Sequence, residues 1–189
     1  SAIINGDHVT GVSVMVMDDG MDTGPVLAQK EVVIGSKETT FELTQKLFKI
    51  GTELLIDLIP ILVNQSITPV KQDALHATYT SKIVKQDGRI KWNQDSEQIS
   101  RHVRAFTPWP GTFSIWRGKN LKLLSVNVKE TNILVKPYGK LSGSVSGGLC
   151  VNTGKGLIEI ERLQIEGKQP VSAKEFMVGH PNFAGDVLI

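Results

Sequence analysis

A chain of 189 residues, 40% apolar and 21% charged with a net charge of +2, has the make-up of a globular protein, and nothing in that make-up points to disorder. No apolar run reaches the roughly 18 residues of a membrane span; the longest, from Leu54 to Val63, is broken by Asp57 and Pro60. The single cysteine, Cys150, excludes an internal disulfide and points to a reducing, cytoplasmic setting.

The small net charge hides an asymmetry. Residues 1–75 hold 5 Lys and Arg against 10 Asp and Glu, whereas residues 76–189 hold 16 against 9. A basic half on a nearly neutral chain suggests a polyanionic partner; scattered surface charge is the other reading.

In chain order, Ser1-Ala2-Ile3-Ile4-Asn5-Gly6 reads as the end of a helix with no signal-peptide pattern, and a chain that begins inside an element is expected to be a fragment. Residues 11–17 form an almost continuous apolar run, which predicts a strand covered on both faces, as in a parallel sheet. The loop Asp18-Asp19-Gly20-Met21-Asp22-Thr23-Gly24-Pro25 follows, then a second strand from Val26 to Ile34. Thr39 and Glu42 form a capping box ahead of a long helix, whose apolar residues are Phe41, Leu43, Leu47, Ile50, Leu54, Leu58 and Leu62. Pro60 is expected to kink that helix or restart it. Residues 66–83 are polar and aperiodic, as in a linker.

A second domain is predicted over 84–189. Asp95-Ser96-Glu97-Gln98 starts a short helix with Ile99, Val103 and Phe106 on one face, stopped by Pro108 and Pro110. Short strands are predicted at 112–116, 121–128, 143–145, 149–151 and 157–165, in the manner of a small barrel. Cys150 reads as a small buried strand residue. Asn152–Gly156 reads as a hairpin turn, because it lacks the phosphate-loop spacing. Ser172 and Glu175 cap a last helix. Trp109 is expected to anchor the barrel core, and His102 to lie on the surface.

The Asp18–Gly24 loop is the first candidate site. Ligands bind beyond the carboxyl ends of strands in open α/β sheets, and a carboxylate there can act as a base or orient an imidazole. An ordinary acidic turn is the alternative. The loop lacks the twelve-residue calcium pattern, and no metal is implied. The basic residues Lys82, Lys85, Arg89, Arg101, Arg104 and Lys119 are the candidates for phosphate contacts.

The string from Thr10 to Leu27 resembles the loop signature of formyltransferases that use 10-formyltetrahydrofolate. Arg101-His102-Val103-Arg104-Ala105-Phe106-Thr107-Pro108-Trp109-Pro110-Gly111-Thr112-Phe113 and Gly167–Phe176 are similar to the C-terminal signatures of the methionyl-tRNA formyltransferases. The resemblance implies an α/β fragment, residues 1–65, that ends a Rossmann-like catalytic domain. It implies a linker at 66–83 and an OB-fold-like β-barrel at 84–189 that binds initiator methionyl-tRNA. It makes Asp22 the catalytic Asp and places 10-formyltetrahydrofolate, the cosubstrate, at Asp18, Gly20, Met21 and Asp22. The family's Asn and His belong to a segment absent from this sequence, so the chain alone is expected to be inactive, with residues 1–65 either loosely ordered or rescued by self-association through the uncovered strand. A formyltransferase for amino sugar nucleotides, or a stand-alone nucleic-acid-binding module, are the alternatives.

Overall fold

Residues 1–129, 136–143 and 148–189 are described by the computed structural model of this chain. They divide into two units, one of residues 1–2 and 6–82, the other of residues 3–5 and 83–189.

In the first unit, β1 (Val9–Met15) pairs antiparallel with β2 (Val26–Val33), from Val9 opposite Val33 to Val14 opposite Ala28. This corrects the parallel, doubly covered strand expected for residues 11–17. The intervening loop reverses the chain, and its neck is closed by the Val16 amide donating to the Pro25 carbonyl at 3.0 Å. Burial along β1 therefore alternates: Val12 and Val14 are half-buried while Val9 and Ser13 are exposed.

The half-buried face lies under α2 (Thr40–Val63), which comes close at Gly51, where an added Cβ would stand 3.0 Å from Val12 Cγ1. Thr39 and Glu42 form the expected capping box, and Pro60 lies inside the helix. Leu43 and Leu58 are buried, but Phe41 and Leu62, expected on the same stripe, are exposed, as are Phe48, Leu55 and Ile59. The apolar surface of α2 is thus wider than the face that the β1–β2 ribbon covers.

The polar stretch after α2 does not run free. Val70 and Val26 exchange both backbone hydrogen bonds, at 2.7 and 2.8 Å, and Asp73 caps a single 3-10 turn at Ala74–His76.

In the second unit, α3 (Ser96–Ala105) lies against an antiparallel sheet made of β3 (Thr112–Trp116), β4 (Lys119–Lys129), β5 (Leu141–Gly143), β6 (Leu149–Asn152) and β7 (Leu157–Ile165). The order is β3-β4-β7-β6-β5, with the short β8 (Val171–Ser172) added to β7, and α4 (Ala173–Gly179) follows it. The strand expected at 143–145 occupies Leu141–Gly143 instead; Ser144 and Val145 lie outside the described residues. Cys150 is buried in β6, and Asn152–Gly156 makes the turn into β7.

Alternate strand residues point into one core: Leu121 and Leu123 of β4, Ile158, Ile160 and Leu163 of β7, with Ile99 and Val103 of α3 across from them. The sheet curls until both of its ends meet the same segment. Ile115 of β3 exchanges backbone hydrogen bonds with Ile189 at 2.8 and 3.0 Å. On the other side, the Leu141 amide of β5 donates to Asp186 at 2.9 Å and the Leu188 amide donates to Gly139 at 2.9 Å. Asp186 also accepts from Trp116 Nε1 at 2.8 Å and pairs with Arg117 at 3.0 Å.

Two helix starts are built to titrate. The Glu42 carboxylate accepts from the Thr39 amide and hydroxyl, and these bonds hold its pKa below the ordinary carboxylate value. Glu175 does the same with the Ser172 hydroxyl and amide. At the start of α3 the matching acceptor is Gln98, on the Asp95 amide at 3.1 Å, and it does not titrate. A lowered folded-state pKa means that the caps of α2 and α4 hold fully above the unfolded carboxylate value, about 4.3, and are lost as pH falls through their own lower midpoints. Carboxyl 13C titrations should give both glutamates midpoints below the unfolded value; midpoints at or above it would contradict these caps.

Candidate functional site

The loop from Val16 to Pro25 is held from inside. Asp18 Oδ1 accepts from the Gly20 amide at 3.1 Å and from the Thr23 hydroxyl at 2.7 Å. Gly20 and Gly24 are where the chain has no room for a side chain. A Cβ on Gly20 would fall 2.0 Å from Thr23 Oγ1, and one on Gly24 would fall 1.7 Å from the Val16 carbonyl oxygen. The loop's first acid is therefore a shaping group, with Oδ1 engaged within the loop.

Asp22 is different. Its backbone is in the left-handed region, φ 57°, which asparagine and aspartate visit more readily than other side chains but which still carries strain. Among the described residues no hydrogen bond reaches its carboxylate. Its carbonyl oxygen is bound: Gln72 Nε2 donates to it at 2.8 Å and to the Gly24 carbonyl at 2.7 Å.

Met21, Asp22 and Thr23 line a cleft of about 870 Å³ together with residues 26–29 of β2 and the segment from Val70 to Thr80. That segment brings in His76, whose Nδ1 lies 2.9 Å from Asp73 Oδ2, and the exposed Tyr79. Of the four residues expected to hold folate, Met21 and Asp22 line the cleft, while Asp18 and Gly20 shape the loop. Gln72, His76 and Tyr79 were hidden from sequence reasoning. They sit in an aperiodic polar stretch, and long-range contacts, the Val70–Val26 pairing and the Gln72 hydrogen bonds, bring them here.

The candidate phosphate ligands separate into groups. Lys85 and Arg89 join Lys122 around a cleft of about 520 Å³ floored by Phe113 and Ile115. Arg89 also borders a second cleft, of about 760 Å³, with Arg101, His102 and Lys91. Lys119 is exposed at the start of β4 and helps hold the Glu166 carboxylate below its ordinary pKa, after the stronger effect of the Asn120 hydrogen bonds. Lys82 is exposed and belongs to the first unit.

Arg101 and Arg104 are half-buried on α3 rather than freely solvated, and among the described residues Arg101 Nε is buried without a hydrogen-bond partner. Burial, then the neighbouring Arg101 charge, pushes the Arg104 guanidinium below its usual pKa.

Two expectations are corrected here. His102 is not a free surface residue: Nε2 lies 2.7 Å from the Asp87 carbonyl oxygen, the ring packs edge-on to Phe106, and burial lowers its pKa. Trp109 does not anchor the core but is 63% exposed. The Gly111 amide closes back onto the Phe106 carbonyl at 2.8 Å and leaves the indole outside. Trp92 and Trp116 fill the core instead, with Trp92 Nε1 donating to the Ser114 hydroxyl at 2.9 Å.

Among the described residues, no group of three His, Cys, Asp or Glu side chains is placed to hold a metal, and no helix is long and apolar enough to cross a membrane.

Residues 1–59 match the family described as formyl transferase, and residues 82–181 match formyl transferase, C-terminal domain. The chain is 39% identical over 178 residues to the methionyl-tRNA formyltransferase of Roseiflexus castenholzii, a match that covers 94% of this chain and 56% of that protein. It thus spans a little over half the length of this curated relative. HypX from Aquifex aeolicus, solved with tetrahydrofolic acid, aligns over 100% of this chain and 35% of its own, with a TM-score of 0.69 and 18% identity. An N-formyltransferase from Helicobacter canadensis, solved with folinic acid and dTDP-3-aminofucose, aligns over 85% and 58%, with a TM-score of 0.66 and 20% identity. Identities this low establish a shared fold.

Proposed function

The chain belongs to the formyl transferase family, and from that premise we propose that it is part of an enzyme that carries formyl from 10-formyltetrahydrofolate to the amino group of methionyl-tRNA in the cytoplasm. The observation that carries the reading is Asp22, which lines an open cleft on a loop shaped by the Asp18 bonds to Gly20 and Thr23.

In the proposed reaction a neutral amine attacks the formyl carbon. The bond from that carbon to the folate nitrogen breaks, and the amine's proton passes to that nitrogen. The oxyanion formed between these steps requires hydrogen-bond donors, and the proton requires a relay. A carboxylate supplies no donor but favours a protonated imidazole beside it. Asp22 is assigned that supporting role, with an Asn and a His outside these 189 residues as its partners. The 189 residues alone are accordingly proposed to be inactive.

The acceptor is assigned as tRNA because the curated relative given above is named for it, and because residues 76–189 carry the positive excess, 16 Lys and Arg against 9 Asp and Glu. We read the curled sheet of the second unit as an OB-fold-like barrel, with Lys85, Arg89 and Lys122 gathered at one cleft as the phosphate-binding cluster.

Binding of the chain to tRNA should weaken linearly in log–log plots against salt, each neutralised phosphate adding about 0.7 to 0.9 to the slope. Charge reversal at Arg89 and Lys119 should flatten that slope and lower affinity for many tRNAs alike. Reversal at Arg101 or Arg104 should in addition destabilise α3, since both are half-buried. Filter binding at several salt concentrations tests this, and salt-independent binding refutes it.

A further inference from the structure

We propose that Gln72 is a positioning residue that fixes the Asp22 peptide for formyl transfer, a role that rests on the function proposed above. The loop is fastened at three places. Val16 and Pro25 close its neck, Asp18 ties Gly20 to Thr23, and Gln72 Nε2 binds the carbonyl oxygens of Asp22 and Gly24 at 2.8 and 2.7 Å. Of these fasteners, the last is the one that touches the peptide of Asp22 itself.

The geometry calls for two N–H donors on one nitrogen at this point, and a primary amide supplies them without a charge. Asp22 is held at φ 57°, a conformation that persists when the surroundings over-determine it. The two carbonyls bracket Thr23 and converge on one nitrogen, so a group with two N–H donors serves both. A hydroxyl has one donor and a carboxylate has none. Met15 Sδ, 3.9 Å away, is the other group on that nitrogen. Gln72 arrives from 50 residues along the chain, and it is delivered by the Val70–Val26 pair that anchors the segment one residue beyond the loop's neck. The same segment also lines the cleft. One side chain therefore links the cleft-lining segment to the backbone that carries Asp22.

The test uses the whole-length enzyme that contains this chain and compares Gln72→Ala, Gln72→Glu and Asp22→Asn. Gln72→Ala should lower kcat by about 10- to 100-fold, the scale on which small misplacements of a reacting constellation act, with KM for folate and tRNA within about threefold of the parent. Gln72→Glu keeps the size but turns donors into acceptors. Its activity relative to the parent should be lowest at neutral pH and should rise as pH falls toward the carboxylate range, about 4.3, where the acid regains one donor. A role confined to packing would give Gln72→Glu a pH-independent ratio, and that result overturns the proposal. So does an unchanged kcat in Gln72→Ala while Asp22→Asn is inactive. Full activity in Asp22→Asn would instead overturn the functional reading from which the proposal starts. If Gln72→Ala fails to fold, the pH profile of Gln72→Glu decides alone.

Discussion

Replacing Asp22 by Asn in the whole-length enzyme should abolish most formyl transfer while leaving the fold intact. Asparagine tolerates the left-handed backbone at φ 57° as well as aspartate does, so the loop keeps its shape and the Gln72 hydrogen bonds, which go to main-chain carbonyls, are untouched. What changes is one negative charge. An uncharged amide no longer favours an imidazolium partner. The same exchange at the orienting aspartate of an unrelated serine protease costs about 10⁴-fold in kcat, and a loss on the order of 10³- to 10⁴-fold is expected here. Single-turnover transfer from 10-formyltetrahydrofolate measures it. A fall of less than tenfold would remove Asp22 from the chemistry and return the loop to an ordinary acidic turn.

The second large effect concerns the segment on which both ends of the curled sheet converge. Leu188 is 2% exposed, and its amide bonds to Gly139 at 2.9 Å. Truncating a buried leucine to alanine removes transfer energy and leaves a cavity, together about 2 to 5 kcal/mol. Here the loss is expected in the upper part of that range, because Leu188 sits between β3 and β5 contacts rather than within one strand pair. Val187, its neighbour, is 41% exposed, and Val187→Ala should cost well under 1 kcal/mol. For a unit of this size each kcal/mol lowers Tm by roughly 4 to 8 °C. Calorimetry of Leu188→Ala, Val187→Ala and the parent should show one melting transition move far and the same transition barely move. Equal shifts would mean that this segment decorates the sheet rather than joining its ends.

Local chemistry was legible in the sequence to the extent that it is local. The capping pairs Thr39–Glu42 and Ser172–Glu175, the strands at 112–116 and 157–165, and the turn after Asn152 depend on a few adjacent residues. The antiparallel partner of β1 was not legible, because an apolar run records how a strand is covered and not which way its neighbour points. Trp109 misled because its two prolines mark a stop, and a stop is compatible with either an inward or an outward indole. His102 misled because helical periodicity ranks positions by polarity and cannot see that the Asp87 carbonyl lies within reach. The wall of the Asp22 cleft was invisible for the simplest reason: Gln72 and Asp22 are joined by a contact across fifty residues, and no short-range pattern encodes it.

The outward indole has a practical side. All three tryptophans of the chain, Trp92, Trp109 and Trp116, lie in the second unit, and Trp109 alone is open to water, 63% exposed against 6% and 5% for the others. Their emission therefore divides into a red-shifted, iodide-quenchable component from Trp109 and a blue, protected component from the core pair. The protected component follows unfolding of the second unit. The quenchable one belongs to the loop directly after α3, the helix that carries Arg101 and Arg104, so a polyanion settling there would shield it from iodide without any label having been attached.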